Sequence, residues 1–132
     1  MKSSDRAEEI LEMSDIRWPD HDSELDRIVL VLTTWPADRD ASAFARSLVE
    51  ARAAACVALL PEMRSIYSWE GRVHDEPERQ LLIKTTRGRV EAIRDMIRRS
   101  HPYDVPEFLI LDVAASSEPY AAWLKACVSE VV

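Results

Sequence analysis

Apolar and polar positions along this chain switch between a period of two and a period near 3.6, and the switches divide it into strands and helices. Arg27 to Thr34 is an unbroken run of β-branched and aliphatic residues, the pattern of a strand buried on both faces at the centre of a sheet. Trp35-Pro36 ends it, and Asp38 or Asp40 is placed to cap the helix that follows. There Ala41, Phe44, Ala45, Leu48, Val49 and Arg52 recur at helical spacing. Ala53 to Leu60 returns to a strand that starts near Cys56, and Pro61 predicts a kink or an edge position.

Ser65 to Lys84 reads as a hairpin. Ile66, Tyr67 and Trp69 are strong strand residues, Glu70-Gly71 supplies the turn, and Leu81, Leu82 and Ile83 complete the return. The polar stretch His74 to Glu78 contains Pro77, which predicts a bulge or an exposed edge. After Gly88, the positions Val90, Ile93, Met96 and Ile97 mark a second amphipathic helix, with Arg98 and Arg99 at the negative end of its dipole. Pro102 stops it. Phe108 to Val113 is a fourth strand, and Tyr120, Trp123, Leu124, Cys127, Val128 and Val131 share one face of a last helix.

The order β-α-β-β-α-β plus a terminal helix predicts an α+β, ferredoxin-like split βαβ domain with an antiparallel sheet. Right-handed crossovers put two helices on one sheet face and leave the other apolar and bare. The terminal helix or another subunit must cover that face. Oligomerisation is therefore expected from the pattern alone.

Composition changes this picture little, but charge divides the chain. A length of 132 residues suits one domain, and two glycines disfavour a phosphate-cradling loop. Residues 1–26 hold nine acids and three bases, whereas the remainder holds 15 acids and 14 bases. The expected division is an acidic tail over 1–26 and a near-neutral domain over 27–132. Within the tail, Ala7, Ile10, Leu11 and Ser14 fall on one helical face, ahead of Trp18-Pro19. This segment reads as a solvated appendage or, alternatively, as an acidic arm that attracts metal ions. No basic stripe predicts a nucleic-acid partner. No apolar run approaches the roughly 20 residues that span a bilayer, and the acidic start lacks the apolar core of a secretory signal. A cytoplasmic location is expected. Cys56 and Cys127 have no zinc-site spacing and read as reduced, buried thiols.

Five stretches carry a resemblance: Thr33-Thr34-Trp35-Pro36, Ala54-Ala55-Cys56-Val57, Ser65 through Gly71, Ile83-Lys84-Thr85 and His101 through Glu107. Their order and spacing, with Tyr120 and Trp123 in the last helix, resemble the CutA divalent-cation-tolerance family from Arg27 to Val128. The resemblance implies a ferredoxin-like fold similar to that of the PII signalling proteins, assembled as a homotrimer through sheets and long hairpins. It also implies a link to tolerance of copper and other divalent cations. Ala58 stands where the family commonly has Asn, and Ser116-Ser117 where it commonly has Gly before the last helix.

Candidate chemistry is sparse. His101, Asp104 and Glu107 are the best ligands for a divalent ion such as copper or zinc, held in a loop stiffened by Pro102 and Pro106. The alternative is that His101 caps a helix and Glu107 pairs with a base such as Lys84. Cys56 is a soft-metal candidate, and His74 with Asp75, Glu76 and Glu78 offers a loose acidic group. Tyr67, Trp69, Lys84 and Tyr103 suggest a ligand cleft between subunits with aromatic walls and one cation. No nucleophile-base-orienter set and no obligatory cofactor motif is recognisable. The sequence thus points to a non-enzymatic trimer linked to divalent cations or, alternatively, to a PII-like module that binds small ligands between subunits.

Overall fold

The structure, a computed structural model, describes residues 16–17 and 22–129. The helix expected over Ala7 to Ser14 lies outside the described residues, as does Val131. In chain order the elements are β1 (Ile16–Arg17), β2 (Ile28–Pro36), α1 (Ser42–Glu50), β3 (Cys56–Trp69), β4 (Arg72–Thr86), α2 (Val90–Ser100), β5 (Leu109–Asp112), β6 (Ser116–Ser117) and α3 (Glu118–Val128). Short 3-10 turns at Glu24–Asp26 and Arg87–Arg89 precede β2 and α2.

The run Ile28 to Thr34 is apolar on both faces because its strand is central. β2 lies between β4 and β5 in an antiparallel sheet of order β3-β4-β2-β5, which is the ferredoxin-like arrangement. Val29, Val31 and Trp35 of β2 join Leu81 and Ile83 of β4 on one face, packed on Phe44 and Leu48 of α1 and on Ile93 and Ile97 of α2. On the opposite face α3 covers only one end, where Ala121, Leu124 and Val128 meet Ile28 and Ala55. The rest of that face stays open. Leu30, Leu32 and Leu82 are half-buried, and their β5 neighbours Leu111 and Leu109 are about half exposed.

Two boundaries differ from expectation. β2 continues through Trp35-Pro36, since Pro36 at the strand end still pairs in register with Glu78. The stretch His74 to Glu78 runs straight, paired with Tyr67 through Met63, and it is exposed except at His74 and Glu78. The bulge lies on the partner strand: Leu59 pairs with Leu81 but Glu62 pairs with Arg79, so β3 gains one residue around Pro61. At the hairpin tip Glu70 (φ 52°) and Gly71 (φ 77°) both adopt left-handed backbone, which gives the turn the twist of the flanking strands. The N-cap of α1 is Ala41, with no side-chain cap, rather than Asp38 or Asp40. Asp40 lies one residue earlier and accepts hydrogen bonds from the backbone N–H and hydroxyl of Ser42 at 2.8 and 2.6 Å. α1 ends at Glu50. Arg52, also left-handed, donates to the carbonyls of Ser129 and Ala126 at 2.9 and 2.8 Å at the end of α3.

Part of the acidic segment packs on the domain. Ile16 and Arg17 pair with Ser117 and Ser116. The Asp22 carboxylate, 7% exposed, accepts two hydrogen bonds from the Arg17 guanidinium and one from Lys125 at 3.1 Å. These donors, Arg17 first, hold Asp22 well below the usual carboxylate range against the opposing effect of burial. Arg17 also reaches Glu118 at 3.1 Å, and Arg87 bridges Glu24 and Asp112 at 2.7 and 2.5 Å.

Candidate functional site

Beyond the end covered by α3, the open sheet face meets the loop between α2 and β5 and the arm of the β3–β4 hairpin. A cleft of about 510 Å³ lies there. β2 contributes Thr34, the arm contributes Ser65, Tyr67, Trp69 and Glu78, and the loop contributes Tyr103, Asp104, Val105 and Glu107. Three aromatic rings and three carboxylates line it, with no lysine or arginine among the described residues.

Glu78 is the buried member of the set. Central pairing to Pro36 on one side and Met63 on the other leaves its residue 6% exposed. The Tyr103 hydroxyl donates to its Oε2 at 2.7 Å, and its Oε1 accepts no hydrogen bond among the described residues. Partial burial, then the bond to Glu78, raises the Tyr103 phenol above its ordinary value. Tyr67 is raised too, by desolvation and then by Glu76 and Glu78. Both phenols are therefore neutral donors near neutral pH. Glu107 is held by Gln80, whose amide donates to it at 2.8 Å and also to the Thr33 carbonyl at 2.8 Å.

His101 sits behind the loop and does not line the cleft. Its Nε2 lies 2.6 Å from the Thr34 carbonyl, while its Nδ1 accepts from the Tyr103 backbone N–H at 3.0 Å. That pair of bonds assigns the neutral tautomer protonated at Nε2. The ring also meets the edge of Trp35 at 4.6 Å and Tyr103 at 5.0 Å. Burial lowers the pKa of His101 from its ordinary value of about 6.5, outweighing the Thr34 bond and the Glu78 charge, which raise it. As pH falls through that value the unfolded chain takes up the proton first, so this contribution to stability is present above it and lost below. The melting temperature should thus drop between pH 7.5 and 5.5, and drop less in His101→Gln. Equal slopes for the two proteins would show that His101 does not carry the effect.

The structure brings together some of the residues singled out from sequence and separates others. Tyr67, Trp69, Tyr103, Asp104 and Glu107 share the cleft. Lys84 does not belong to it. Lys84 lies six residues from Glu78 along β4, about 20 Å at strand rise, and its Nζ is 3.3 Å from the Tyr120 hydroxyl, above that ring. Cys56 pairs opposite Lys84, away from the cleft. His74 stacks on Tyr67 at 5.2 Å, with Nδ1 3.8 Å from Glu76. Among the described residues no three His, Cys, Asp or Glu side chains stand close enough to hold a metal ion, so His101, Asp104 and Glu107 do not converge within one chain. His101 is indeed a helix cap, as its backbone N–H reaches Ile97 at 2.8 Å, but Glu107 takes Gln80 rather than a base. Sequence reasoning passed over Gln80 and Thr34 and set Glu78 in a loose acidic group. The one available signal was the alternation Glu78, Gln80, Leu82, Lys84 on a single strand face.

Fold and cleft together define a small ferredoxin-like α+β protein with a negatively charged, aromatic recess on its sheet. The family model described as CutA1 divalent ion tolerance protein matches residues 29–127, and the chain belongs to that family. It is 43% identical over 105 residues to the divalent-cation tolerance protein CutA of Pectobacterium atrosepticum, covering 80% of this chain and 96% of that one. It is 40% identical over 96 residues to the protein of the same name from Thermus thermophilus, covering 73% and 93%. Among solved structures it resembles CutA1 from Oryza sativa, with a TM-score of 0.76 and 32% identity over 83% of this chain and all of that one. The solved structure of the Thermus thermophilus protein superposes with a TM-score of 0.74 at 37% identity, covering 77% and 99%. The family is named for divalent-cation tolerance and not for an enzymatic activity. No helix among the described residues is long and apolar enough to cross a membrane.

Proposed function

We propose that this protein is a non-enzymatic homotrimer that acts in divalent-cation tolerance by binding cations at its acidic cleft. The observation that carries this reading is the lining itself: Glu78, Asp104 and Glu107 line the recess with no basic side chain among the described lining residues. A field of one sign in a concave, partly desolvated site concentrates the opposite charge. Asp104 and Glu107 are the ligands available to a divalent ion such as copper or zinc. His101 is a poorer one, because both of its nitrogens are engaged. The described residues of one chain supply too few donors for a closed site, so a neighbouring copy completes the coordination. The uncovered leucines of β2, β4 and β5 support that assembly, since a face of this kind is stable only when covered. A cytoplasmic location belongs to the same reading, and the free, half-buried thiols of Cys56 and Cys127 support it.

Titration calorimetry with Zn(II) and Cu(II) tests the cation site. Asp104→Asn combined with Glu107→Gln should weaken binding at least tenfold, and His101→Gln should change it little. Unaltered affinity in the double variant would sink the site. Light scattering should give three times the 15.1 kDa chain mass, and a stable monomer would refute the trimer. A second reading, a module that binds small molecules, is favoured by the cleft volume, which lies in the range of small-ligand pockets.

A further inference from the structure

We propose that the cleft is a receptor for an organic ammonium ion carrying N-methyl or similarly small apolar substituents. The inference rests on the reading of the cleft as a cation site and names a ligand class for it. Three independent features point the same way.

The first is size. A recess of about 510 Å³ greatly exceeds what a bare metal ion occupies, and it matches a small organic molecule. The second is the nature of its walls. Tyr67 and Trp69 are 43% and 51% exposed although they line a cavity, and Tyr103 closes the other side. Divalent ions hold their water tightly and need several oxygen or nitrogen donors, which the described residues of one chain do not gather without a neighbouring copy, whereas the aromatic walls need no such completion. An alkylated ammonium is weakly hydrated and soft, and the negative faces of aromatic rings attract it directly. The third is Glu78. A carboxylate in a residue only 6% exposed normally has a cationic partner, yet among the described residues its sole hydrogen bond comes from the neutral Tyr103 hydroxyl. Its second oxygen remains available at a cavity with no lysine or arginine among the described lining residues. A buried anion, aromatic walls and unused volume are together the chemistry of an ammonium receptor. Asp104 and Glu107 at the same recess add long-range attraction without requiring direct contact.

The test uses the full-length protein in its assembled state, with choline as the probe and 3,3-dimethyl-1-butanol as its uncharged isostere. Calorimetry should show saturable choline binding and at least tenfold weaker binding of the isostere. Trp69→Ala and Glu78→Gln should each weaken choline binding at least tenfold. Trp69 lies on the exposed arm, so its replacement keeps the question answerable if Glu78→Gln fails to fold by circular dichroism. Equal binding of choline and the isostere, or no saturable choline binding, overturns the proposal. A parallel Zn(II) titration separates the two readings: zinc binding without choline binding overturns only the ammonium receptor, and binding of neither overturns the cation cleft as well.

Discussion

Replacing Trp35 by alanine should cost about 4 kcal/mol of unfolding free energy, the range seen when a buried indole is truncated. Trp35 is 5% exposed and stacks on Phe44 at 4.8 Å while its ring meets His101 at 4.6 Å. It therefore ties β2 to α1 and to the start of the loop that carries Tyr103, Asp104 and Glu107. Its removal leaves a cavity under His101, whose bonds to Thr34 and Tyr103 set where that loop lies. Chemical denaturation should show the stability loss, and the folded fraction should bind cations more weakly. Trp35→Phe separates packing from hydrogen bonding. The indole Nε1 is buried with no hydrogen-bond partner among the described residues, so phenylalanine keeps much of the stacking and removes an unsatisfied donor. It should recover most of the lost stability. If Trp35→Phe is as damaging as Trp35→Ala, the stacking account fails.

The second large effect is expected at Asp22, outside the part of the chain that matches the family. Asp22→Ala should destabilise the protein by about 3 kcal/mol, because it removes the carboxylate that two shielded cations share, leaving Arg17 with only the exposed Glu118 and Lys125 with no carboxylate among the described residues. Both partners are about three-quarters shielded from solvent, and Asp22 itself is nearly buried. The β1–β6 pairing should loosen with it, so trypsin should cut after Arg17 several-fold faster than in the parent protein. An unchanged melting temperature and an unchanged cleavage rate would show that the segment is held by something else. Lowering the pH acts on the same cluster. Its contribution is complete above the ordinary carboxylate pKa and disappears only as pH falls through the depressed value of Asp22.

These two predictions show what local pattern reveals. Strand β2, the helices and the Glu70-Gly71 turn were legible because hydrophobic period and turn chemistry are local properties. The partly bare sheet face followed from connectivity. The Asp22–Lys125 contact was not legible, since it joins positions 103 residues apart and neither residue breaks any local rule. Glu78 sits in a stretch rich in acids that reads as solvated edge, and only pairing with strands on both sides buries it. Lys84 shows the converse failure. It shares a strand face with Glu78, but length along β4 separates them, and one-dimensional patterns do not say which end of a face a cleft occupies. His101 was legible both as a helix cap and as a metal ligand, and its hydrogen bonds favour the cap.

The extra residue around Pro61 also sets the chemistry of the hairpin arm. Before it, Cys56 and Ala58 share a face with the even-numbered residues of β4. Beyond it, the odd-numbered residues Ser65, Tyr67 and Trp69 do so, on the side of Glu78. The insertion works as a change of reading frame in space: one residue reverses which half of the arm's side chains looks toward the cleft. Without it the same letters would turn Tyr67 and Trp69 away from Glu78 and present Ile66 and Ser68 in their place. The identity of the recess is thus encoded as much by a count of residues around a proline as by the residues that line it.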